Sequence, residues 1–331
     1  MKNLSILIFI LWWTIPGLSQ YNKGGELVPG QHTMELSESR IWYHVLGDGN
    51  TPPLLMLHGG PGGTSYSMYA LDPLAEDFTL IIFDQPGTGR SGNLSDTTLM
   101  TMDFFVEQLH EFIRGLGLET FYLYGHSWGT MLGLDYYLKY PNGIKAMIMN
   151  SPVASARMWM QDADTLIATL HDTIRHAIRI SEETGNFDTD AYRHAMVVYY
   201  RNFIGRGKRI KNQHGLEYVP GNSLMYNYMW GPSEFTATGT LRDYDRLDRL
   251  EEIEVPVLWI TGEYDEARPS TVEYYHTLTP GSEFEVIEGA AHATMHDQRD
   301  ENVRMIREFL FNQNNPLNPD TTMDRNLRKN D

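Results

Sequence analysis

The chain has 331 residues, enough for one large buried core or for a core that carries an inserted domain. Hydrophobic residues make up 41% of it and aromatic residues 12%, values typical of a folded globular protein. The formal net charge of −17, without a cluster of Lys and Arg, argues against a nucleic-acid partner. Because the sequence contains no cysteine, thiol nucleophiles, disulfides and zinc–thiolate sites are excluded.

The first twenty residues differ from the rest of the chain. Lys2 precedes an apolar run at 4–16, and small residues follow near Ser19. This order is typical of a secretory signal peptide, and the run is shorter than the ~20 residues of a membrane span. We therefore expect an exported protein, periplasmic or secreted, without a stable membrane partner. A leader retained as an anchor is the alternative.

Short apolar runs alternate with helical patterns through the first half of the chain. The predicted strands lie at 41–46, 54–57, 78–83, 121–124 and 146–149. Helical spacing of apolar residues occurs between them, at 101–116 and 131–139. Fully apolar strands that alternate with helices are typical of a parallel sheet covered on both faces. We therefore predict a mostly parallel, doubly wound sheet of the α/β class.

This alternation is interrupted in the middle of the chain and then resumes. Helical stretches at 161–184 and 188–204 precede an irregular stretch, rich in glycine and aromatic residues, at 212–240. Strand patterns return at 255–260 and 284–287, before a last helix at 302–311. We therefore predict a helical cap inserted into the core. The predicted division is a leader at 1–20, a core at 21–152 and 251–312, a cap at 153–250 and a disordered tail at 313–331.

The motif GHSWG at 125–129 matches the pattern G-x-S-x-G. It follows a predicted strand and opens a predicted helix, which is the context of a nucleophile elbow. An ordinary strand-to-helix turn is the alternative interpretation. Ser127 is thus our candidate nucleophile, and the fold expected around it is the α/β-hydrolase fold. A serine hydroxyl is a weak nucleophile, so it needs a neighbouring base.

Two residues late in the chain are candidates for the rest of a catalytic triad. In α/β-hydrolases the acid and then the base follow the serine, each on a loop after a late strand. Asp265 follows the first of the two late strands, and His292 follows the second. We predict that His292 takes the proton of Ser127 while Asp265 orients the imidazole. An Asp265 that is only a turn residue, and His296 as the base, remain open alternatives.

The motif HGGPGG at 58–63 follows the predicted strand at 54–57. Acyl transfer develops negative charge on the former carbonyl oxygen, and backbone N–H groups of a glycine loop can approach it closely. We predict that the N–H groups of Gly60 and of Trp128, the residue after the nucleophile, form this oxyanion hole. A phosphate-binding loop is the alternative, but the Lys-Ser/Thr ending of such loops is missing.

Several separated motifs agree in order and spacing with one known family. They are HGGPGG at 58–63, DQPGTGRS at 84–91, GHSWGT at 125–130, GPSEF at 231–235 and GEYDEARP at 262–269. With this set the chain, from about 25 to 312, resembles the proline iminopeptidases, α/β-hydrolases that remove an N-terminal residue, often proline, from peptides. The resemblance implies a serine aminopeptidase that forms an acyl-enzyme on Ser127. The N-terminal residue that it is expected to release is proline.

The resemblance also assigns a role to two glutamates. In this family one glutamate of the cap and one beside the catalytic aspartate bind the substrate's free α-amino group, and those positions are Glu234 and Glu266 here. Two carboxylates suit a desolvated ammonium, which needs charge and hydrogen bonds from the site. Solvated surface glutamates are the alternative for both. The aromatic stretch at 225–230 fits either a side-chain pocket or the cap core.

Other functions are compatible with the same motifs. An amino-acid amidase or an esterase with this triad is the second hypothesis, and a non-enzymatic binding protein on this fold is the third. No cofactor is implied, and the histidines outside the triad lack metal-ligand spacing such as H-E-x-x-H. The expected partners are therefore small peptides or aminoacyl amides as substrates.

Overall fold

The computed structural model describes residues 27–49 and 51–314 of the chain. Its strands are β1 (Gly30–Glu35), β2 (Arg40–Leu46), β3 (Leu54–Leu57), β4 (Leu80–Phe83), β5 (Phe121–Ser127), β6 (Ile144–Pro152), β7 (Val257–Gly262) and β8 (Glu283–Ile287). They form one sheet in the order β1-β2-β4-β3-β5-β6-β7-β8. The first two pair antiparallel with their neighbours, and all other pairs are parallel. The predicted mostly parallel, doubly wound sheet is confirmed.

Helices connect these strands and cover both faces of the sheet. In chain order they are α1 (Met102–Gly115), α2 (Trp128–Lys139), α3 (Ala156–Ala168), α4 (Asp172–Thr184), α5 (Asp190–Phe203), α6 (Ser223–Met229), α7 (Pro269–Leu278), α8 (Thr294–Asp297) and α9 (Arg299–Asn314). Leu55 and Leu57 of β3 pack with α1, α2 and α7, whereas Leu54 and Met56 pack with α9. Since alternate residues of a strand face opposite sides, a strand without polar residues needs cover on both.

The segment between β6 and β7 carries the helices α3 to α6, in the part of the chain where we predict the cap. Apolar side chains from α3, α4 and α5 form a core separate from the two cores of the sheet, with Ala163, Ile178 and Tyr199 among its buried members. Phe235, from the loop after α6, also packs there. This inserted segment therefore has a hydrophobic core of its own, which stabilises it beside the sheet.

The structure differs from the sequence analysis at the level of individual elements. The helical stretch predicted at 161–184 is two helices, α3 and α4, separated at 169–171. The helix α6 lies inside the stretch at 212–240 that we predict as irregular, and its first turn is capped by Asn222, whose Oδ1 accepts the N–H of Met225 at 3.1 Å. The strand β1 is additional. Its residues alternate between exposed and partly buried, typical of an edge strand with little apolar signal.

The leader predicted at 1–20 lies outside the described residues, as does the tail predicted at 313–331 apart from its first two residues, which end α9. Within the part of the chain that the structure describes, no helix has both the length and the apolar character needed to cross a membrane.

Candidate active site

Ser127 lies at the carboxyl end of β5, immediately before the first residue of α2. Its φ of 54° and ψ of −123° are unusual for a residue with a side chain and mark a sharp turn. The flanking glycines permit this turn. A Cβ on Gly125 would lie 2.6 Å from the carbonyl oxygen of Gly129, and a Cβ on Gly129 would overlap the carbonyl oxygen of Leu57. The local geometry is that of a nucleophile elbow.

Asp265 and His292 lie on the loops after β7 and β8, and the structure brings them into contact. The Nδ1 of His292 and the Oδ1 of Asp265 are 2.8 Å apart. The same carboxylate accepts the backbone N–H of Ala267 at 2.8 Å and that of Gly262 at 3.3 Å. Both side chains are buried. Asp265 therefore does more than close a turn, because it holds the imidazole by its Nδ1–H.

The loop that carries His292 is tied to the elbow. The carbonyl oxygen of His292 accepts hydrogen bonds from Nε2 of His126 and from Oγ of Ser151, each at 2.9 Å. Burial and the neighbouring His292 lower the pKa of His126 to about 3, so this ring is neutral and donates through Nε2. Residue 126 directly precedes Ser127. The three predicted triad residues thus lie at one edge of the sheet.

The electrostatics of the site favour the ionised form of Asp265 and the protonated form of His292. Burial raises the pKa of Asp265, but the adjacent His292 and several hydrogen bonds outweigh it and hold that pKa below its usual value. Burial disfavours the imidazolium of His292, yet the charge and hydrogen bond of Asp265 raise its pKa above the usual value. The carboxylate of Asp265 therefore stabilises the protonated form of His292.

His296, the alternative base, is engaged elsewhere. Its Nδ1 accepts the backbone N–H of Ile210 at 3.2 Å. Burial and the charge of Arg209 lower its pKa to about 4. Nothing in these contacts joins it to Asp265, so the geometry favours His292 as the base.

The two glutamates lie near the imidazole of His292. Glu266 is 1% exposed, and its Oε1 is 3.9 Å from Nε2 of His292. Among the described residues, neither carboxyl oxygen of Glu266 has a hydrogen-bond partner. Burial first, and then the charges of Glu234 and Asp265, raise its pKa well above the usual value. A buried carboxyl group without hydrogen-bond partners among the described residues is costly, and a bound cation would offset that cost.

Glu234 follows α6 and is partly exposed. Its carbonyl oxygen accepts both indole N–H groups of Trp159, at 2.9 Å, and Trp230, at 3.2 Å. Burial raises the pKa of its carboxyl group, although His292 and Tyr226 act in the opposite direction. The main chain of Glu234 is therefore fixed by two tryptophans, and its carboxyl group lies close enough to His292 for the two charges to interact.

Two tyrosine hydroxyls complete this acidic region. The hydroxyl groups of Tyr199 and Tyr226 are buried, and they lie close enough to Glu266 and Glu234 to lower the pKa of those carboxyl groups. Burial and the charges of Glu266 and Glu234 raise the pKa of both hydroxyls well above the usual value. Both tyrosines therefore remain neutral and can donate or accept a hydrogen bond.

The predicted oxyanion loop packs against the elbow. A Cβ on Gly59 would lie 3.1 Å from the Cβ of Ser127, and a Cβ on Gly60 would lie 2.5 Å from the backbone nitrogen of Gly63. Gly60 has a φ of 137°, which favours glycine. Trp128 is buried at the start of α2. Gly60 and Trp128 thus lie on two segments that meet near the serine, and their role as oxyanion donors remains a prediction.

Sequence reasoning missed the residues that shape the space between these groups. Trp159 lies on α3 and its ring is 5.5 Å from that of His292, edge to face. No local pattern in the sequence could have indicated this contact, because 133 positions separate the two residues. The stretch at 225–230 is divided: Met225, Met229 and Trp230 are core residues, while the hydroxyl of Tyr226 is directed to the acidic region.

Comparisons of the sequence and of the structure with known proteins agree on one family. The alpha/beta hydrolase fold family matches residues 52–298. The chain is 40% identical to a proline iminopeptidase of Heyndrickxia coagulans over 266 residues, which cover 80% of this chain and 92% of that protein. The crystal structure of a Mycobacterium smegmatis proline iminopeptidase aligns with a TM-score of 0.77 and 29% identity, covering 87% of this chain and all of that one. The crystal structure of VinJ aligns with a TM-score of 0.79, also at 29% identity, over 86% of this chain and 99% of its own.

These likenesses extend over the sheet and the inserted helices alike, and they agree with the resemblance carried by the motifs. The esterases among the structural neighbours are less than 25% identical and share the fold alone. The chain belongs to the proline iminopeptidase family of α/β-hydrolase-fold serine hydrolases.

Proposed function

We propose that the protein is a serine aminopeptidase that releases an N-terminal residue, with proline preferred, from peptides. Ser127 attacks the carbonyl carbon of the first residue, and His292 takes the serine proton and returns it to the leaving amine. The N–H groups of Gly60 and Trp128 stabilise the oxyanion. Water then hydrolyses the acyl-enzyme with His292 as the base. Asp265 keeps the imidazole oriented throughout.

The observation that carries this proposal is the unpartnered carboxyl group of Glu266 beside the catalytic imidazole. A positively charged N-terminus would supply the charge and the N–H donors that the carboxyl group of Glu266 lacks, and Glu234 would add a second negative charge beside it. The ammonium of an N-terminal proline has two N–H groups, which suits two carboxylates. A simple ester or an N-blocked peptide would leave Glu266 without a cationic partner. The same geometry thus favours an aminopeptidase over an esterase.

A substrate panel tests the proposal. β-Naphthylamides of proline, alanine and leucine are compared with simple acyl esters on the purified protein. We expect aminoacyl amides to be hydrolysed, proline fastest, and Ser127→Ala to lose at least about 10³-fold in kcat. A fluorophosphonate should label the wild-type protein at Ser127 and leave that variant unlabelled. An ester that is turned over far faster than every aminoacyl amide would contradict the proposal.

We further propose that the protein acts outside the cytoplasm. The support is the pattern at 1–20, with Lys2 before a short apolar run and small residues after it. Mass spectrometry of the protein recovered from the expressing cells would identify its N-terminus. We expect cleavage near Ser19–Tyr21. An intact leader in the mature protein would contradict the signal-peptide assignment.

A further inference from the structure

The motif DQPGTGRS at 84–91 follows β4 and takes no part in the chemistry proposed above. Its first residue, Asp84, is fully buried and anchors the loop. Asp84 Oδ1 accepts the backbone N–H of Ser65 at 2.8 Å, and Oδ2 accepts the backbone N–H of Arg90 at 2.7 Å. These bonds connect the loop to itself and to the segment after the glycine loop. The next residue, Gln85, is thereby held at a defined position.

Gln85 is 1% exposed, and both ends of its side-chain amide are hydrogen-bonded. Its Nε2 donates to the carbonyl oxygen of His58 at 2.9 Å, and its Oε1 accepts the indole N–H of Trp128 at 2.8 Å. His58 begins the glycine loop after β3, and Trp128 follows the nucleophile after β5. One amide group therefore spans the two segments predicted to supply the oxyanion donors.

A third bond from Gln85 sets the tautomer of His58. The backbone N–H of Gln85 donates to Nε2 of His58 at 3.1 Å, so the ring proton lies on Nδ1. That Nδ1–H donates to the carbonyl oxygen of Gly59 at 2.8 Å. Burial lowers the pKa of His58, which keeps the ring neutral. The carbonyl of Gly59 and the N–H of Gly60 belong to one planar peptide group. The hydrogen bond that orients this carbonyl therefore also orients the N–H of Gly60.

We propose that Gln85 is a positioning residue for catalysis, which joins the glycine loop at His58 to the elbow at Trp128 and so holds both oxyanion donors in register. The inference rests on the proposed function, since it concerns the oxyanion hole of that reaction. Backbone donors stabilise a transition state only when their geometry is preorganised. Displacement by about 1 Å can cost about 10²-fold in rate. Gln85 is buried and its side-chain hydrogen bonds go to His58 and Trp128, so it acts through the two segments it connects.

The variant Gln85→Met tests this, because methionine keeps the length and burial of the side chain and removes both hydrogen-bonding ends. We expect kcat for prolyl-β-naphthylamide to fall about 10- to 100-fold with little change in KM. The affinity for a prolyl boronate, which forms a tetrahedral adduct with Ser127, should fall by a similar factor. Inhibition by free proline, which resembles the ground state, should stay unchanged. The end point of fluorophosphonate labelling gives the fraction of competent enzyme for normalisation.

Two further variants separate positioning from stability. Gln108→Met removes an equally buried glutamine on α1, hydrogen-bonded to Ser39, and should lower Tm while kcat stays at the wild-type value. Trp128→Phe removes the indole bond to Gln85, together with part of the buried ring volume, and keeps both the backbone N–H at 128 and the bond from Gln85 to His58, so it should lower Tm and produce a smaller fall in kcat.

A wild-type protein without aminopeptidase activity would contradict the proposed function, whatever the variants do. With an active wild type, a folded Gln85→Met enzyme whose kcat is within about threefold of wild type, or whose loss is confined to KM, overturns this inference alone. If Gln85→Met does not fold, an undiminished kcat in Trp128→Phe overturns it instead.

Discussion

At the scale of single residues, the imidazole of His292 lies between two acidic groups with different environments. Asp265 has hydrogen bonds from the ring and from backbone N–H groups, which favour its ionised form. Glu266 lies near the opposite ring nitrogen without a partner, and burial favours its protonated form. The surroundings thus drive the pKa values of two adjacent carboxyl groups apart, which agrees with the different roles that we propose for them.

The pH dependence of activity follows from these shifts. His292 must be neutral to accept the proton of Ser127, and its raised pKa means that protonation begins at a higher pH than for a free histidine. We therefore expect kcat/KM for prolyl-β-naphthylamide to decline on the acid side with an apparent pKa above about 6.5. Hydrolysis of an N-acetylated ester does not need ionised glutamates. Its kcat/KM should therefore decline on the acid side through protonation of His292 alone. An acid limb well below pH 6 on both substrates would contradict this assignment.

At the scale of elements, the turn from β5 to α2 depends on close backbone contact. The site of Gly129 is crowded by main-chain atoms of β3, which cannot move away as a flexible side chain could. Gly133 is on the same helix, but a Cβ there would meet only side-chain atoms, at 3.4–3.5 Å. The two glycines therefore have different reasons to be present, although both lie in α2.

Substitution of these glycines makes a matched pair. Gly129→Ala should destabilise the fold by about 1–3 kcal/mol, because the added methyl group overlaps the carbonyl oxygen of Leu57. It should also lower kcat by displacing Ser127 from its partners. Gly133→Ala should keep activity and gain up to about 1 kcal/mol from helix propensity. Urea unfolding and kinetics would check both, and equal effects of the two substitutions would refute the close-packing explanation.

At the scale of the whole molecule, the inserted segment is joined to the sheet domain by a bidentate salt bridge. Arg246, near the end of the segment, contacts Asp135 of α2 through Nε at 2.7 Å and Nη2 at 2.8 Å. Tyr244 donates to the same carboxylate at 3.2 Å. The side chain of Asp135 is 11% exposed, so this pair is more sheltered than the exposed pairs on the helices. We infer that it fastens the segment to the sheet domain.

Removal of this bridge should affect stability more than chemistry. Arg246→Ala is expected to cost about 1–3 kcal/mol in the free energy of unfolding, because it leaves a sheltered carboxylate without its cationic partner and with only the hydrogen bond from Tyr244. Arg249→Ala, which breaks an exposed pair with Glu252, should cost less than about 1 kcal/mol. Both variants should retain the wild-type kcat. Chemical denaturation gives the comparison, and equal losses for the two arginines would contradict the argument from burial.

The sequence predicted local features well and long-range contacts poorly. The apolar runs of β3 and β5 and the glycines around Ser127 are local patterns, so the parallel sheet could be inferred from them. The break at 169–171 and the helix α6 within 212–240 depend on caps and packing that periodicity does not reveal. The contact of Trp159 with His292 joins separate elements, and no spacing in the chain encodes it.

Recognition of a free amine by the two glutamates is the central claim, and one ratio tests it most directly. The ratio is kcat/KM for prolyl-β-naphthylamide divided by that for its N-acetyl derivative, measured on the wild type, Glu234→Gln and Glu266→Gln. We predict a large wild-type ratio that falls about 100-fold or more in each variant, because a buried ammonium loses a charged partner, while turnover of a simple ester is spared. A wild-type ratio near one, or equal losses on free and blocked substrates, would contradict the account.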